Sequence, residues 1–387
     1  MSPVDARPHR IAIVRGAYNA AGGAERFVQR IAAALAARGV ELTLVARRWP
    51  AAGLPASVRR LELDGFHVGR AWRDAAFARQ VRRAVAREAF DLVQSHERIP
   101  GLDVYRAGDG VHRQWLALRR RQQGAWRGVA DRLSAAHRAI LRQERAMFTH
   151  AGLRCVVCNS EMVREEIVRH YGVDRSRLAV IRNGLDLQRF SPPTPAQREA
   201  ARRTLAWPGD RAVFLFVGSG FERKGVAVAL RALARGSLRQ QARLVVVGHD
   251  KHQARYQALA ASLGIAEAVL FEGPRDDVLP YYHAADAFVL PTLYDPQSNA
   301  MLEAMGCGLP VITSTGCGAA ELLPPESGCV VDALDDAALA HAMERLLDRA
   351  HARRLGAAAR RAIEPYTLER MTDDYLALYA RLLGAPA

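Results

Sequence analysis

Lysine is nearly absent from this chain: of 55 basic residues only Lys224 and Lys251 are lysine, the rest being arginine. So strong a bias reflects genome composition, and a lysine kept in a mechanistically suggestive loop therefore carries extra weight. Lys251 has no such context. Cysteine is scarce as well. Cys155 and Cys158 form one C-x-x-C, but no second pair follows at zinc-finger spacing, and Cys307, Cys317 and Cys329 are scattered, so all five read as reduced packing residues. No run of about 18 apolar residues is present to span a bilayer. Pro3, Asp5 and Pro8 interrupt the N-terminus, and the apolar run from Ile11 is too short for a secretory leader, which leaves a cytoplasmic location as the expectation. The twelve histidines form no H-x-x-x-H with acidic partners and no D-x-D precedes a suitable turn, so neither metal nor cofactor is expected.

What is present is length, apolar content and positive charge. With 387 residues, half of them hydrophobic, two domains with separate cores are expected. The net charge of +15 calls for an anionic partner: nucleic acid, acidic lipid or a phosphorylated saccharide.

The hydrophobic period alternates between strand and helix along the chain. Ile11 to Val14 reads as a strand, followed by a glycine-rich turn and an amphipathic helix carrying Phe27, Ile31 and Leu35, then Gly39 and a strand from Glu41 to Ala46. A helix from about Trp72 to Ala89 follows, with strands at Asp91 to Ser95, Leu102 to Gly108 and Cys155 to Ser160, and a basic helical stretch from Arg113 to Phe148 between the last two. After Leu178 the chain passes into a Pro-rich link, and the alternation restarts at AVFLFVGSG. The expectation is an α/β protein of two Rossmann-like parallel-sheet domains facing a cleft. The first covers residues 1–190 and the second 191–365, with a closing helix over 366–387 packing back on the first.

In such sheets ligands bind where loops leave the carboxyl ends of strands. Gly22 and Gly23 precede the first helix and let backbone approach a phosphate, with Glu25 just inside the helix. SGFERKG places Arg223 and Lys224 immediately before Gly225 and the next helix. Two cations at a helix N-terminus oppose its dipole unless an anion sits between them, although a solvated pair is the alternative. In YDPQSNAMLEAMGCGLP, Asp295 and Glu303 bracket a helix start whose free amides suit a diphosphate. Asp295 opening a turn with Pro296 is the plainer reading of that position.

These segments carry a resemblance. GGAER, VIRNGLDLQRF, FERKG and the Asp295 to Glu303 segment occur in the order seen in retaining GT-B glycosyltransferases of the glycogen-synthase-like kind. Their Glu-x7-Glu motif is similar, with Asp295 one methylene shorter than the usual Glu. IPGLDVYRAGDGVHRQWL and PTLYDPQSNAMLEAM further resemble the lipopolysaccharide core glucosyltransferases that act on heptose. The resemblance implies a UDP-sugar donor that is a substrate rather than a cofactor, an acceptor in the lipopolysaccharide core, and transfer with retention. It implies that Arg223 and Lys224 hold the diphosphate, Glu303 the ribose and Asp295 the donor sugar, with backbone contacts from Ser298, Asn299 and Ala300. Asp109 falls about where the family has an acceptor-side histidine, with His96 and His112 as nearby acceptor-side residues.

The stretch from Arg113 to Arg145 holds nine arginines against Asp131 and Glu144, with Trp115 and Trp126 interleaved. That composition suits a helix lying on anionic inner-leaflet lipid, which would make the protein peripheral at the inner membrane. A helix packed on the first domain with a solvated arginine face explains it equally. A nucleic-acid-binding protein would account for the charge alone, and no RNP, zinc-finger or KH pattern is present, so no nucleic-acid partner is expected. A phosphorylase or a sugar-nucleotide epimerase would share the fold.

Overall fold

The alternating pattern resolves into two parallel sheets in a computed structural model that describes residues 9–16, 23–50, 53–63, 70–123, 134–207 and 211–384. The first sheet contains β1 (Arg10–Val14), β2 (Glu41–Ala46), β3 (Arg59–Glu62), β4 (Leu92–Ser95), β5 (Val104–Arg106), β6 (Cys155–Cys158) and β7 (Leu178–Val180), in the spatial order β3-β2-β1-β4-β5-β6-β7. The second contains β8 (Ala212–Val217), β9 (Ala242–Val247), β10 (Val269–Gly273), β11 (Ala287–Leu290), β12 (Val311–Ser314) and β13 (Gly328–Val331), ordered β10-β9-β8-β11-β12-β13. Every pairing is parallel. Central strands such as β4, β6 and β11 are buried at every position, as strands covered on both faces must be. Each sheet reverses its strand order once, between β1 and β4 in the first and between β8 and β11 in the second, and at each reversal the loops that leave adjacent strands part to opposite faces.

Five helices are described between β1 and β7: α1 (Gly23–Ala37), α2 (Arg70–Glu88), α3 (His112–Gln123), α4 (Ala135–Phe148) and α5 (Glu161–Tyr171). In α1 the apolar residues Phe27, Val28, Ile31, Ala32 and Leu35 recur at three- and four-residue spacing and are all buried. The helix stops at Gly39, which takes the left-handed conformation at φ 81°. β5 is shorter than the expected strand, because the chain turns after Arg106 through Gly110 at φ 70°.

The chain separates into Met1–Asn183 with Leu368–Ala387, and Gly184–Thr367. The first boundary therefore lies before residue 190. Leu185 and Phe190 belong to the second core, and the Leu185 amide donates to the carbonyl of Tyr366 at 2.9 Å, so the segment read as a tail of the first sheet is paired within the second unit. The closing helix, Leu368–Leu383, buries Met371, Tyr375, Leu378 and Tyr379 in the core that also holds Phe27 and Ile31. The Tyr379 hydroxyl donates to the Gln94 amide oxygen Oε1 at 3.0 Å.

Within the basic stretch Glu144 is not a surface counter-charge. It is fully buried and accepts from Arg98 Nε at 3.1 Å, from the amides of His112 and Arg113 at 2.9 and 3.3 Å, and from the Tyr171 hydroxyl. One carboxylate thus ties the first turn of α3 to α4 and α5. Trp126 and Asp131 lie outside the described residues. All five cysteines are free thiols, four of them buried and Cys329 half-buried.

Candidate active site

The loops that leave β8 and β11 bring together the residues singled out in the second half. After β8 the chain runs through Gly218 to Gly220 into a single helical turn, Phe221–Lys224, and then through Gly225 at φ 84° into the helix Val226–Leu233. Arg223 and Lys224 therefore end one helical turn instead of starting the next helix. The expected conflict with a helix dipole does not arise, since cations at the last turn are favourably placed. Gly225 is required for a second reason: a Cβ there would overlap the carbonyl oxygen of Pro291, which follows β11. This close approach locks the two loops together. The Arg223 carbonyl accepts from the Leu293 amide at 2.8 Å and from Thr292 Oγ1 at 3.0 Å, and Arg223 Nη1 reaches the Tyr294 carbonyl at 3.4 Å.

Lys224 ends against Asp295. Its Nζ makes a short ion pair with Asp295 Oδ2, and both side chains are largely buried, at 12% and 8% exposure. The backbone of Asp295 is clamped on both sides, its amide donating to Gly316 at 2.9 Å and its carbonyl accepting from Gly318 at 2.8 Å. It does not simply open a solvent-facing turn. Ser298 caps the helix Asn299–Gly306, its hydroxyl accepting from the Met301 amide at 3.3 Å. Asn299 and Ala300 supply first-turn amides, a class of donor that lacks acceptors within its own helix. Glu303, 5% exposed, points to Tyr282, whose hydroxyl donates to Oε2 at 3.0 Å. Arg223, Lys224, Asp295, Ser298 and Glu303 thus share one side of a sheet, at the point where its strand order reverses.

The first unit repeats this placement with different chemistry. Arg15, just past β1, extends its guanidinium to three carboxylates: Glu25 at 3.0 Å, Asp109 at 3.5 Å and Glu97 at 3.6 Å. Those partners raise the Arg15 pKa against the opposing effect of burial. Glu97 also accepts from the Gly16 amide at 2.9 Å, and burial raises its pKa. Glu25 and Asp109, expected near donor and acceptor respectively, are joined by this arginine, which sequence reasoning passed over as a loop residue. The available signal was an arginine at the carboxyl end of the first strand.

His96 and His112 do not come together. His96 is buried beside Phe27 and Gln94, with its imidazole pKa held well below the ordinary value by burial and then by the guanidiniums of Arg106 and Arg15. Arg106, itself buried, stacks 3.6 Å over the Phe27 ring and donates to Asn183 at 2.6 Å. His112 pairs instead with His137 of α4, with 3.1 Å between ring nitrogens. Gly23 opens α1, and Gly22 lies outside the described residues. Among the described residues no group of three or more histidine, cysteine, aspartate or glutamate side chains is arranged to hold a metal ion. None of the described helices is long and apolar enough to cross a membrane.

The two halves match different family models: residues 21–189 match Glycosyltransferase Family 4 and residues 211–349 match Glycosyl transferases group 1. The chain is 30% identical over 305 residues to the lipopolysaccharide glucosyltransferase WaaG of Escherichia coli (strain K12), covering 78% of this chain and 79% of that protein. It is also 30% identical over 399 residues to a D-inositol 3-phosphate glycosyltransferase of Thermomonospora curvata, covering 93% and 90%. The crystal structure of WaaG superposes with a TM-score of 0.83 at 27% identity, over 95% of this chain and 99% of that one. With both units, the order of their motifs and these relatives in agreement, the chain belongs to the group 1 glycosyl transferases and has the GT-B fold.

Proposed function

We propose that the protein transfers glucose, or a similar hexose, from a UDP-sugar to a heptose of the lipopolysaccharide inner core with retention of configuration. The observation that carries the donor half is the grouping of Arg223, Lys224 and the first-turn amides of Asn299 and Ala300 beside two buried carboxylates, Asp295 and Glu303. As the bond from the sugar C1 to the diphosphate oxygen breaks, its electron pair stays on the diphosphate, and Arg223 and Lys224 stabilise the growing charge. The acceptor hydroxyl attacks C1 from the same face, and its proton passes to the departing diphosphate. Glu303 would accept from the ribose hydroxyls and Asp295 from the sugar, while Asp295 also positions the Lys224 ammonium. Fixed cations and helix amides fill the role a metal ion has in other sugar-nucleotide sites, so no metal and no separate cofactor is assigned.

The acceptor half rests on the similarity to WaaG over most of the chain. A second reading, transfer to a phosphorylated cyclitol, is favoured by the inositol-phosphate relatives that match over more than nine-tenths of it. Incubation with UDP-glucose, UDP-galactose, UDP-N-acetylglucosamine and their GDP counterparts, with deep-rough lipopolysaccharide or inositol phosphate as acceptor, separates the two. Release of UDP with labelling of the lipopolysaccharide is the expected result; labelling of inositol phosphate alone overturns the acceptor assignment.

In this reading the protein works at the cytoplasmic face of the inner membrane, with residues 113–145 drawn to its anionic lipids. Arg119→Gln with Arg121→Gln should weaken binding to phosphatidylglycerol vesicles about tenfold, at about 1 kcal/mol or less per arginine. Unchanged vesicle affinity would assign the stretch to packing on the first unit.

A further inference from the structure

Helices α3, α4 and α5 of the first unit line an open cavity of about 490 Å³. Arg113 and Arg120 of α3 and Arg142 and Arg145 of α4 line it, and among the described residues no carboxylate does. None of these four guanidiniums is ion-paired among the described residues, and Arg120 Nε is buried there without a hydrogen-bond partner. Among the described residues of the basic stretch the carboxylate is Glu144, and it is already engaged by Arg98, two backbone amides and the Tyr171 hydroxyl. The rest of the lining is Leu116, which is buried, with Ala117, Leu141, Tyr171 and His170.

Four cations converging on one cavity repel one another unless an anion lies among them, and arginine forks match the oxygen geometry of a phosphate in particular. The volume exceeds what one phosphate fills and falls in the range of small-molecule sites. A sugar ring has the size and the mixed polarity for the remaining space, with one face against Leu116 and the Tyr171 ring. We propose that this cavity binds a phosphorylated monosaccharide, whose phosphate is held by Arg113, Arg120, Arg142 and Arg145. The group is the same whether it is carried on the acceptor saccharide or on a free sugar phosphate. None of the lining residues comes from the loops after β8 and β11, so the proposal stands apart from the donor reading.

The test is calorimetric titration of the full chain with glucose 6-phosphate, with glucose and inorganic phosphate as controls. Expected is saturable 1:1 binding of glucose 6-phosphate, weaker binding of phosphate and none of glucose. Arg142→Gln with Arg145→Gln, both exposed positions on α4, should weaken it at least tenfold while leaving Tm and UDP affinity unchanged. Absence of saturable binding, or equal affinity in the double variant, overturns the proposal. Binding of phosphatidic acid vesicles through these arginines without binding of glucose 6-phosphate overturns it too, by assigning the site to lipid. Competition between glucose 6-phosphate and a phosphorylated acceptor in the transfer assay marks an acceptor subsite, and binding without competition marks an effector site; both keep the sugar-phosphate assignment. UDP affinity reads the donor site separately, so failure of the cavity and failure of the transferase reading appear in different measurements.

Discussion

The two strand-order reversals occupy equivalent places in their sheets and differ in charge balance. Beyond β1 and β4 a single guanidinium, Arg15, is surrounded by Glu25, Glu97 and Asp109. Beyond β8 and β11 two cations, Arg223 and Lys224, are grouped with two carboxylates, Asp295, which pairs with Lys224, and Glu303. The same backbone solution therefore yields a carboxylate-rich cluster in one unit and a charge-balanced one in the other. Carboxylates suit hydroxyl donors such as those of a saccharide, whereas cations fixed beside carboxylates suit a diphosphate joined to a sugar. The division of labour lies in which side chains are placed on the loops, since the sheets themselves are alike.

Removing the central cation of the first unit should have the largest effect on stability. Arg15→Ala leaves three carboxylates facing one another around a half-buried position; because Glu97 and Asp109 are 34% and 47% exposed, solvent screening holds the loss to about 1 kcal/mol. Denaturant unfolding should show this loss, with partial recovery in Arg15→Lys. A stability close to that of the wild type would mean that water and rearrangement neutralise the cluster and that its charge balance is unimportant.

In the second unit the corresponding change should affect turnover more than folding. Lys224→Ala is expected to lower kcat about one hundredfold or more, because in the proposed reaction the ammonium would act on charge that grows as the diphosphate departs. UDP affinity should fall less. Asp295→Asn should impair transfer and leave UDP affinity nearly intact. If UDP affinity drops in step with transfer, Asp295 is a structural brace for the loop, and the contrast between the two pockets loses its functional half.

The smallest effect concerns His96, which lies behind the first pocket. Its folded-state pKa is well below the ordinary histidine value, so the unfolded chain takes up a proton before the native protein does. The stability it contributes is complete above about pH 6.5 and declines as pH falls below that value, by up to about 1.4 kcal/mol per pH unit. His96→Gln should flatten the stability profile between about pH 6.5 and 5 by the equivalent of one proton. An unchanged slope in the variant would place the acid sensitivity elsewhere, at His170 or His283, whose pKa values burial also lowers.

Much of the fold was legible because its signals are local. The spacing of Phe27, Ile31 and Leu35 and the apolar run of β8 each declare an element within one window of sequence. Arg223, Lys224, Asp295 and Glu303 were legible because they sit on short segments with a recognisable order. Arg15 and Glu144 were not, since nothing adjacent to them announces a partner. Arg15 meets Asp109 across 94 residues, and Glu144 meets Arg98 across 46.

By itself, then, the sequence determined that strands and helices alternate twice, that each half can bury its own core, and which loops hold charged residues. The tertiary structure alone decided which of those loops meet. The pairing of Lys224 with Asp295, the gathering of three carboxylates on Arg15 and the burial of Glu144 all depend on the order in which strands are laid side by side. That order is set by the burial of apolar faces on both sides of each sheet, a property of the whole packed unit that no single stretch of chain contains.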